Sequence, residues 1–191
     1  MSSHTILQVE NLKVNFNVTS EGDMPWTKPK KLQAVNDVSF QLNSGETLGI
    51  VGESGCGKST LARAIVKMVP THSGKVIWLG NDLLELNKSE MRRHRKQIQM
   101  IFQDPLASLD PRMNIGEIIA EPLRTHYPKT PEADVKLRVS DVMNKVGLLD
   151  NLVNRYPHEF SGGQCQRIGI ARALILKPKL IICDEPVSAL D

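Results

Sequence analysis

The chain has 191 residues, of which 40% are apolar and 24% are charged, and its formal net charge is +3. These values are ordinary for a soluble globular protein, and so small a charge gives no argument for nucleic-acid binding. No stretch approaches the roughly 18 apolar residues of a membrane span, and the N-terminus lacks the pattern of a secretory signal.

The N-terminal quarter of the chain predicts β-structure. Apolar and polar residues alternate over residues 7–16 and 34–42, which predicts antiparallel strands. The intervening residues 17–31 lose this pattern and predict a surface loop or hairpin insertion. The short apolar run 46–51, bounded by glycines, predicts a buried central strand.

Helices and short strands alternate in the rest of the chain, which favours an α/β fold. A wholly helical block within it indicates a separate lobe. In chain order, the predicted elements are a helix at 58–68, a strand at 75–79, a helix at 88–96, a strand at 98–102, a helical block from 115 to about 156, a helix at 163–176 and a strand at 180–183.

Residues 52–59, Gly-Glu-Ser-Gly-Cys-Gly-Lys-Ser, match G-x-x-x-x-G-K-[ST] at every fixed position, between a predicted strand and a predicted helix. Such a loop points backbone N–H groups at a β-phosphate, and the helix dipole adds positive potential. Lys58 can then span the β- and γ-phosphates, and the Ser59 hydroxyl can ligate Mg²⁺. The pattern predicts a nucleotide site formed by Gly52, Glu53, Ser54, Gly55, Cys56, Gly57, Lys58, Ser59 and Thr60.

Two later segments carry groups suited to the far end of a triphosphate. Ser161 is a predicted N-cap, and the glycines after it offer backbone donors to an anion. The apolar strand 180–183 ends in Asp184 and Glu185, and paired acids at a strand end suit Mg²⁺ and a water molecule. Taken alone, the segment at Ser161 also fits a capped helix without a ligand, and the acidic pair also fits a turn that ends a strand.

Beside the phosphate loop, Phe160-Ser161-Gly162-Gly163-Gln164 resembles the signature motif of the ABC ATPases, Gln103 the glutamine of their Q-loop, and residues 186–191 their D-loop. The resemblance covers essentially the whole chain. It implies an ABC-type P-loop NTPase domain, α/β in class, with an N-terminal antiparallel β subdomain and an inserted α-helical lobe, truncated at its C-terminus. It further implies a nucleotide-binding core of residues 1–103 and 164–191, with the helical lobe and signature motif at 104–163.

The same resemblance implies roles for individual residues. Glu185 would polarise the attacking water and, with Lys58 and Gln103, carry catalysis. Magnesium would be held by Ser59, Gln103 and, through water, Asp184. The signature residues Ser161, Gly162, Gly163 and Gln164 would contact ATP bound by the opposite subunit. Phe16 lies where the family places an aromatic that stacks on adenine, although a core phenylalanine of a strand fits the pattern equally well.

Within the family, the segments Ile-Phe-Gln-Asp-Pro-Leu-Ala-Ser-Leu-Asp-Pro-Arg (101–112) and Arg-Tyr-Pro-His-Glu-Phe-Ser-Gly-Gly-Gln-Cys-Gln-Arg (155–167) are similar to the oligopeptide and dipeptide permease branch, closest to its F-type ATPase subunits. This implies an ATPase that energises oligopeptide import from the cytoplasmic face of the inner membrane, as a peripheral subunit. The implied partners are a sister ATPase in a hetero- or homodimer, two transmembrane permease subunits and, indirectly, an extracytoplasmic peptide-binding protein, with no nucleic acid.

Two other interpretations stay open: a non-transport ABC ATPase acting on nucleic acid or ribosomes, and a nucleotide-binding fragment that does not hydrolyse ATP. The family also has a switch histidine after the D-loop. None of the histidines of this sequence lies at that position; they are His4, His72, His94, His126 and His158. We therefore expect the 191 residues alone to hydrolyse ATP weakly or not at all.

Overall fold

The computed structural model describes residues 4–18 and 30–185. The chain divides into two compact units, Met1–Met91 and Arg92–Asp191. Most of the predicted loop at 17–31 and all of the D-loop-like segment 186–191 lie outside the described residues. Among the described residues, no helix has both the length and the apolar character needed to cross a bilayer.

The first unit is built on a four-stranded antiparallel sheet in the order β2-β1-β3-β4. Its two long strands pair over most of their length, which confirms the antiparallel strands predicted from alternation. Leu7 and Val9 of β1 are buried, and after an irregularity in the pairing between Val9 and Leu12 the buried residues are Leu12 and Val14. The strands are β1 (Thr5–Val18), β2 (Lys30–Asn43), β3 (Ser73–Trp78) and β4 (Asn81–Asp82).

Helix α1 (Lys58–Ile65) contacts β1 and β2 and buries Leu61, Ala64 and Ile65. Helix α2 (Lys88–Arg95) is short, strongly basic in its last turn, and buries only Met91. Both helices begin at the residue that the sequence predicts, and both end before the predicted residue.

The prediction of a buried central strand at 46–51 is wrong. No strand is formed at these positions, and the side chains of Leu48, Ile50 and Val51 are exposed, Val51 by 93%. Within the described part of the chain no other strand pairs with this segment. An apolar run becomes a strand only where a neighbour completes its hydrogen-bond ladder, and the sequence pattern does not contain that information.

Up to residue 185, the second unit combines a two-stranded parallel sheet with the α-helices α3 (Ile115–His126), α4 (Glu132–Lys145) and α5 (Gly162–Leu174). Strands β5 (Ile98–Ile101) and β6 (Leu180–Cys183) pair in register from Ile98 opposite Leu180 to Ile101 opposite Cys183. The helical block predicted from 115 to about 156 is confirmed by α3, α4 and a 3-10 turn at Asp150–Leu152. A second 3-10 turn, Pro157–Glu159, leads to α5, which corresponds to the separate helix predicted at 163–176.

These helices share one apolar core. It contains Ile115, Ile118, Ile119 and Leu123 of α3, Val135, Val139 and Met143 of α4, and Cys165, Ile168 and Ala171 of α5. Helix α3 continues through Pro122, although a proline removes one intrahelical hydrogen bond and usually ends a helix. The fully buried Leu123 beyond the proline shows that packing against the core holds this last turn in place.

Candidate nucleotide-binding site

The phosphate loop, residues 52–59, lies in the first unit and leads into α1. Gly57 is the N-cap of α1 with φ of 102°, a backbone conformation that favours glycine. A Cβ atom at Gly57 would overlap the carbonyl oxygen of Ala34 in β2, so only glycine fits here. The loop therefore lies directly against the sheet at Gly57, while Gly52 to Cys56 remain exposed.

Lys58 is turned back onto its own loop. Its Nζ donates hydrogen bonds of 2.9 Å to the carbonyl oxygen of Gly52 and 3.0 Å to that of Glu53. Ser59 and Thr60 follow in the first turn of α1, where they are partly buried. The ammonium group is thus held within the loop, beside backbone N–H groups that can serve an anion.

The predicted acidic site lies in the second unit, at the carboxyl ends of β5 and β6. The N–H of Asp184 donates a 2.9 Å hydrogen bond to the carbonyl oxygen of Ile101, which extends the parallel ladder by one residue. Nε2 of Gln103 donates a 2.7 Å hydrogen bond to Oε2 of Glu185. Asp184 is buried and Glu185 is exposed, with φ of 45° at Glu185. The structure therefore brings Gln103, Asp184 and Glu185 to one edge of this sheet.

The donor set fits the way proteins bind magnesium. Mg²⁺ takes oxygen ligands and is usually held by one or two carboxylates together with substrate phosphates. Carboxylate and amide oxygens are the groups present at this edge. In residues 4–18 and 30–185 no group of three or more His, Cys, Asp or Glu side chains forms a metal cage. The chemistry therefore suits a magnesium ion that arrives with a phosphate ligand.

The signature residues form the N-terminus of α5. Ser161 is the N-cap, as predicted, and its Oγ accepts a 3.3 Å hydrogen bond from the N–H of Gln164. Oε1 of Gln164 accepts a 3.0 Å hydrogen bond from the N–H of Ser161, which completes a capping box. In the capping box both side chains act as hydrogen-bond acceptors, through Oγ of Ser161 and Oε1 of Gln164. The Ser161 O–H and Gln164 Nε2–H groups remain chemically suited to donate to a phosphate, together with first-turn N–H groups.

Phe16 lies on β1 opposite Leu32 and is half-buried. This position is compatible with a sheet residue and with an aromatic platform, so its predicted contact with adenine stays a prediction.

Arg172 belongs to no sequence motif that indicates a functional site. Its Nη1 donates a 2.6 Å hydrogen bond to the carbonyl oxygen of Ser108, so it ties α5 to the loop that follows Gln103. Burial lowers the pKa of Arg172, and the charge of Glu121 acts in the opposite direction. The only sequence signal for this role is a basic side chain in the last turn of a largely apolar helix.

The family model described as ABC transporter matches residues 35–188, and the chain belongs to this family of ATP-binding proteins. It is 66% identical over 186 residues to the oligopeptide transport ATP-binding protein OppF of Salmonella typhimurium, and 64% identical over 186 residues to OppF of Escherichia coli. It is 48% identical over 191 residues to the oligopeptide transport ATP-binding protein AppF of Bacillus subtilis. These alignments cover 97–100% of this chain and 56–57% of each relative, so the chain spans about half the length of the relatives it matches.

Solved structures show the same fold. The ATP-binding cassette MJ0796, in a dimeric post-hydrolysis state bound to ADP and Pi, matches with a TM-score of 0.86 and 26% identity over 97% of this chain and 76% of that one. CbiO1 of Clostridium perfringens, part of the ABC transporter complex cbiONQ, matches with a TM-score of 0.77 and 27% identity over 98% of this chain and 68% of that one. The predicted family and the predicted P-loop NTPase fold are therefore confirmed. The predicted division at residues 103 and 164 and the residue roles stay predictions.

Proposed function

We propose that this chain binds MgATP and hydrolyses it as one of two ATPase subunits that energise oligopeptide import. The observation that carries the proposal is the phosphate loop. Only glycine fits at position 57, against the carbonyl oxygen of Ala34, and the Lys58 side chain is turned into the loop. The chain belongs to the ABC transporter family. The names of the relatives, oligopeptide transport ATP-binding proteins, support the cargo.

The phosphate groups of ATP would be held by the loop, residues 52–60. Backbone N–H groups and the N-terminus of α1 supply fixed positive potential, and Lys58 supplies a mobile charge. The Ser59 hydroxyl, Gln103 and, through water, Asp184 would hold Mg²⁺. The bound ion would supply charge neutralisation at the phosphates. Phe16 is the proposed platform for adenine.

Glu185 would orient the water that attacks the γ-phosphorus. Phosphoryl transfer depends mainly on position and charge, so the requirement is a carboxylate held in place rather than a reactive nucleophile. Gln103 meets part of that requirement, because its amide bonds the Glu185 carboxylate at 2.7 Å.

The signature residues would act on ATP bound by the partner subunit. The Ser161 hydroxyl, the Gln164 amide and the N–H groups of Gly162 and Gly163 lie together at the N-terminus of α5, and they would donate to the γ-phosphate. The dimeric state of the related cassette MJ0796 supports this arrangement. The partner would be an identical chain or a sister ATPase.

The remaining partners follow from the same proposal. Two transmembrane permease subunits would anchor the ATPases peripherally at the cytoplasmic face of the inner membrane. An extracytoplasmic peptide-binding protein would deliver cargo without contacting this chain. No role for nucleic acid is proposed.

The test compares ATP binding, ATP-dependent association and phosphate release in the full-length protein, alone and with a co-expressed sister ATPase. Glu185→Gln should keep ATP binding and lower turnover at least about 100-fold, and Lys58→Ala should lose ATP binding. Undiminished turnover in Glu185→Gln would contradict the proposal.

A matched pair of variants tests the role of the signature in the partner. Ser161→Ala and Asn114→Ala each remove one capping box, and each should lower the free energy of unfolding by about 1 kcal/mol. Only Ser161→Ala should abolish ATP-dependent association and turnover. Equal loss of turnover in both variants would show that Ser161 acts only as a helix cap.

A further inference from the structure

The second unit carries a basic surface made of residues other than those assigned to ATP. The last turn of α2 carries Arg92 and Arg93, and Lys96 follows directly. The last turn of α3 and the residue after it contribute His126 and Tyr127. These five residues are called the basic patch below.

Two contacts fix the two halves of the basic patch against each other. Nη2 of Arg92 donates a 3.0 Å hydrogen bond to the carbonyl oxygen of Thr125, at the C-terminus of α3. Nζ of Lys96 lies 5.5 Å from the centre of the Tyr127 ring, within cation–π range. The patch is therefore a formed surface in which a tyrosine with 42% exposure lies among cations.

In the described part of the chain, no carboxylate lies within ion-pair distance of the cations of the patch. Among the ion pairs within 4.0 Å in the described residues, none involves Arg92, Arg93 or Lys96. Glu132, the first residue of α4, pairs with Arg124 at 2.8 Å, and Glu90 bonds the N–H of Asn87 at the start of α2. Burial, followed by the charges of Arg92 and Lys96, lowers the pKa of His126, which is consistent with an uncompensated positive field.

We propose that the basic patch binds the headgroups of acidic phospholipids. Guanidinium groups match phosphate oxygens in geometry, and an exposed tyrosine beside cations suits the interface between lipid and water. Each basic residue near an anionic bilayer adds about fivefold to affinity, so the patch gives a weak supplementary contact rather than an anchor. The proposal depends on the proposed function only in placing the chain beside a membrane.

The test is flotation of the full-length protein, without nucleotide, with vesicles of phosphatidylcholine alone or mixed with phosphatidylglycerol. The protein should float only with the mixed vesicles, and high salt should weaken binding. Arg93→Glu with Lys96→Glu should lower binding at least about 25-fold, two factors of about five. Arg92 is left in place because it also bonds α3. Arg93→Gln with Lys96→Gln gives a milder variant in case the charge reversal fails to fold.

The control is Lys136→Glu with Arg138→Glu, an equal change of charge at two exposed positions of α4. It should keep vesicle binding. Equal loss in the control, equal binding to phosphatidylcholine alone, or preferential binding of an acidic peptide or of DNA would each overturn the proposal. ATP binding and turnover are measured separately in the same variants. A failure of the lipid proposal is therefore distinguishable from a failure of the ATPase proposal.

Discussion

The side-chain amide of Gln103 donates a 2.7 Å hydrogen bond to the carboxylate of Glu185, although 82 positions separate the two residues in sequence. Ile101 lies opposite Cys183 in the parallel pair β5–β6, so each partner stands two residues past the end of its strand. The parallel register thus brings together a residue proposed to hold magnesium, Gln103, and the residue proposed to orient the attacking water, Glu185. A change in the orientation of either side chain breaks this bond.

We expect Gln103→Ala to lower kcat about tenfold to 100-fold, because the Glu185 carboxylate loses a positioning contact. The Mg²⁺ concentration for half-maximal activity should rise, while nucleotide affinity without magnesium should stay unchanged. Steady-state phosphate release across a magnesium series measures both effects. Gln99→Ala is the control, since Gln99 lies on β5 and bonds the Arg95 carbonyl instead. Wild-type kcat and magnesium response in Gln103→Ala would contradict the proposed role.

Gly57→Ala should lower ATP affinity more than about 100-fold. The new Cβ would overlap the Ala34 carbonyl oxygen, and φ of 102° is strained for alanine, so the loop must leave β2. Gly45→Ala is the control, because Gly45 has φ of 76° with nothing within 4 Å of the added atom. That variant should lose about 1–2 kcal/mol of stability and keep ATP affinity. Titration with a fluorescent nucleotide and thermal unfolding separate the two results.

The parts of the fold that local sequence determines were predictable. Ser161 is the predicted N-cap because a capping residue acts on its immediate neighbours. Strand β6 has the predicted bounds because its apolar run finds a partner in β5. The segment 46–51 differs because strand formation requires a pairing partner elsewhere in the chain. The hydrogen bond between Arg172 and Ser108 likewise joins positions 64 residues apart, which no local pattern encodes.

His126 should make stability depend on pH. Burial, then the charges of Arg92 and Lys96, lower its pKa below 6.5 in the folded state. The unfolded chain therefore binds the proton more readily. The His126 contribution to the free energy of unfolding is fully present above pH 6.5 and is lost as pH falls through the lower folded pKa. Between neutral and mildly acidic pH, the free energy of unfolding should fall less in His126→Asn than in the wild type, as measured by urea unfolding. The exposed His72→Gln is the control, and an unchanged slope in His126→Asn would refute this origin.

Replacing the buried Gln166 by an apolar residue should stabilise the protein. Its side chain is 1% exposed, and within the described part of the chain neither Oε1 nor Nε2 has a hydrogen-bond partner. Each buried polar group without a partner costs about 1–3 kcal/mol. Gln166→Met keeps the length and removes both groups, so the free energy of unfolding should rise by about 1 kcal/mol or more, measured by urea unfolding. The exposed Gln41→Met should change it by less than about 0.5 kcal/mol. A loss of stability in Gln166→Met would contradict the prediction.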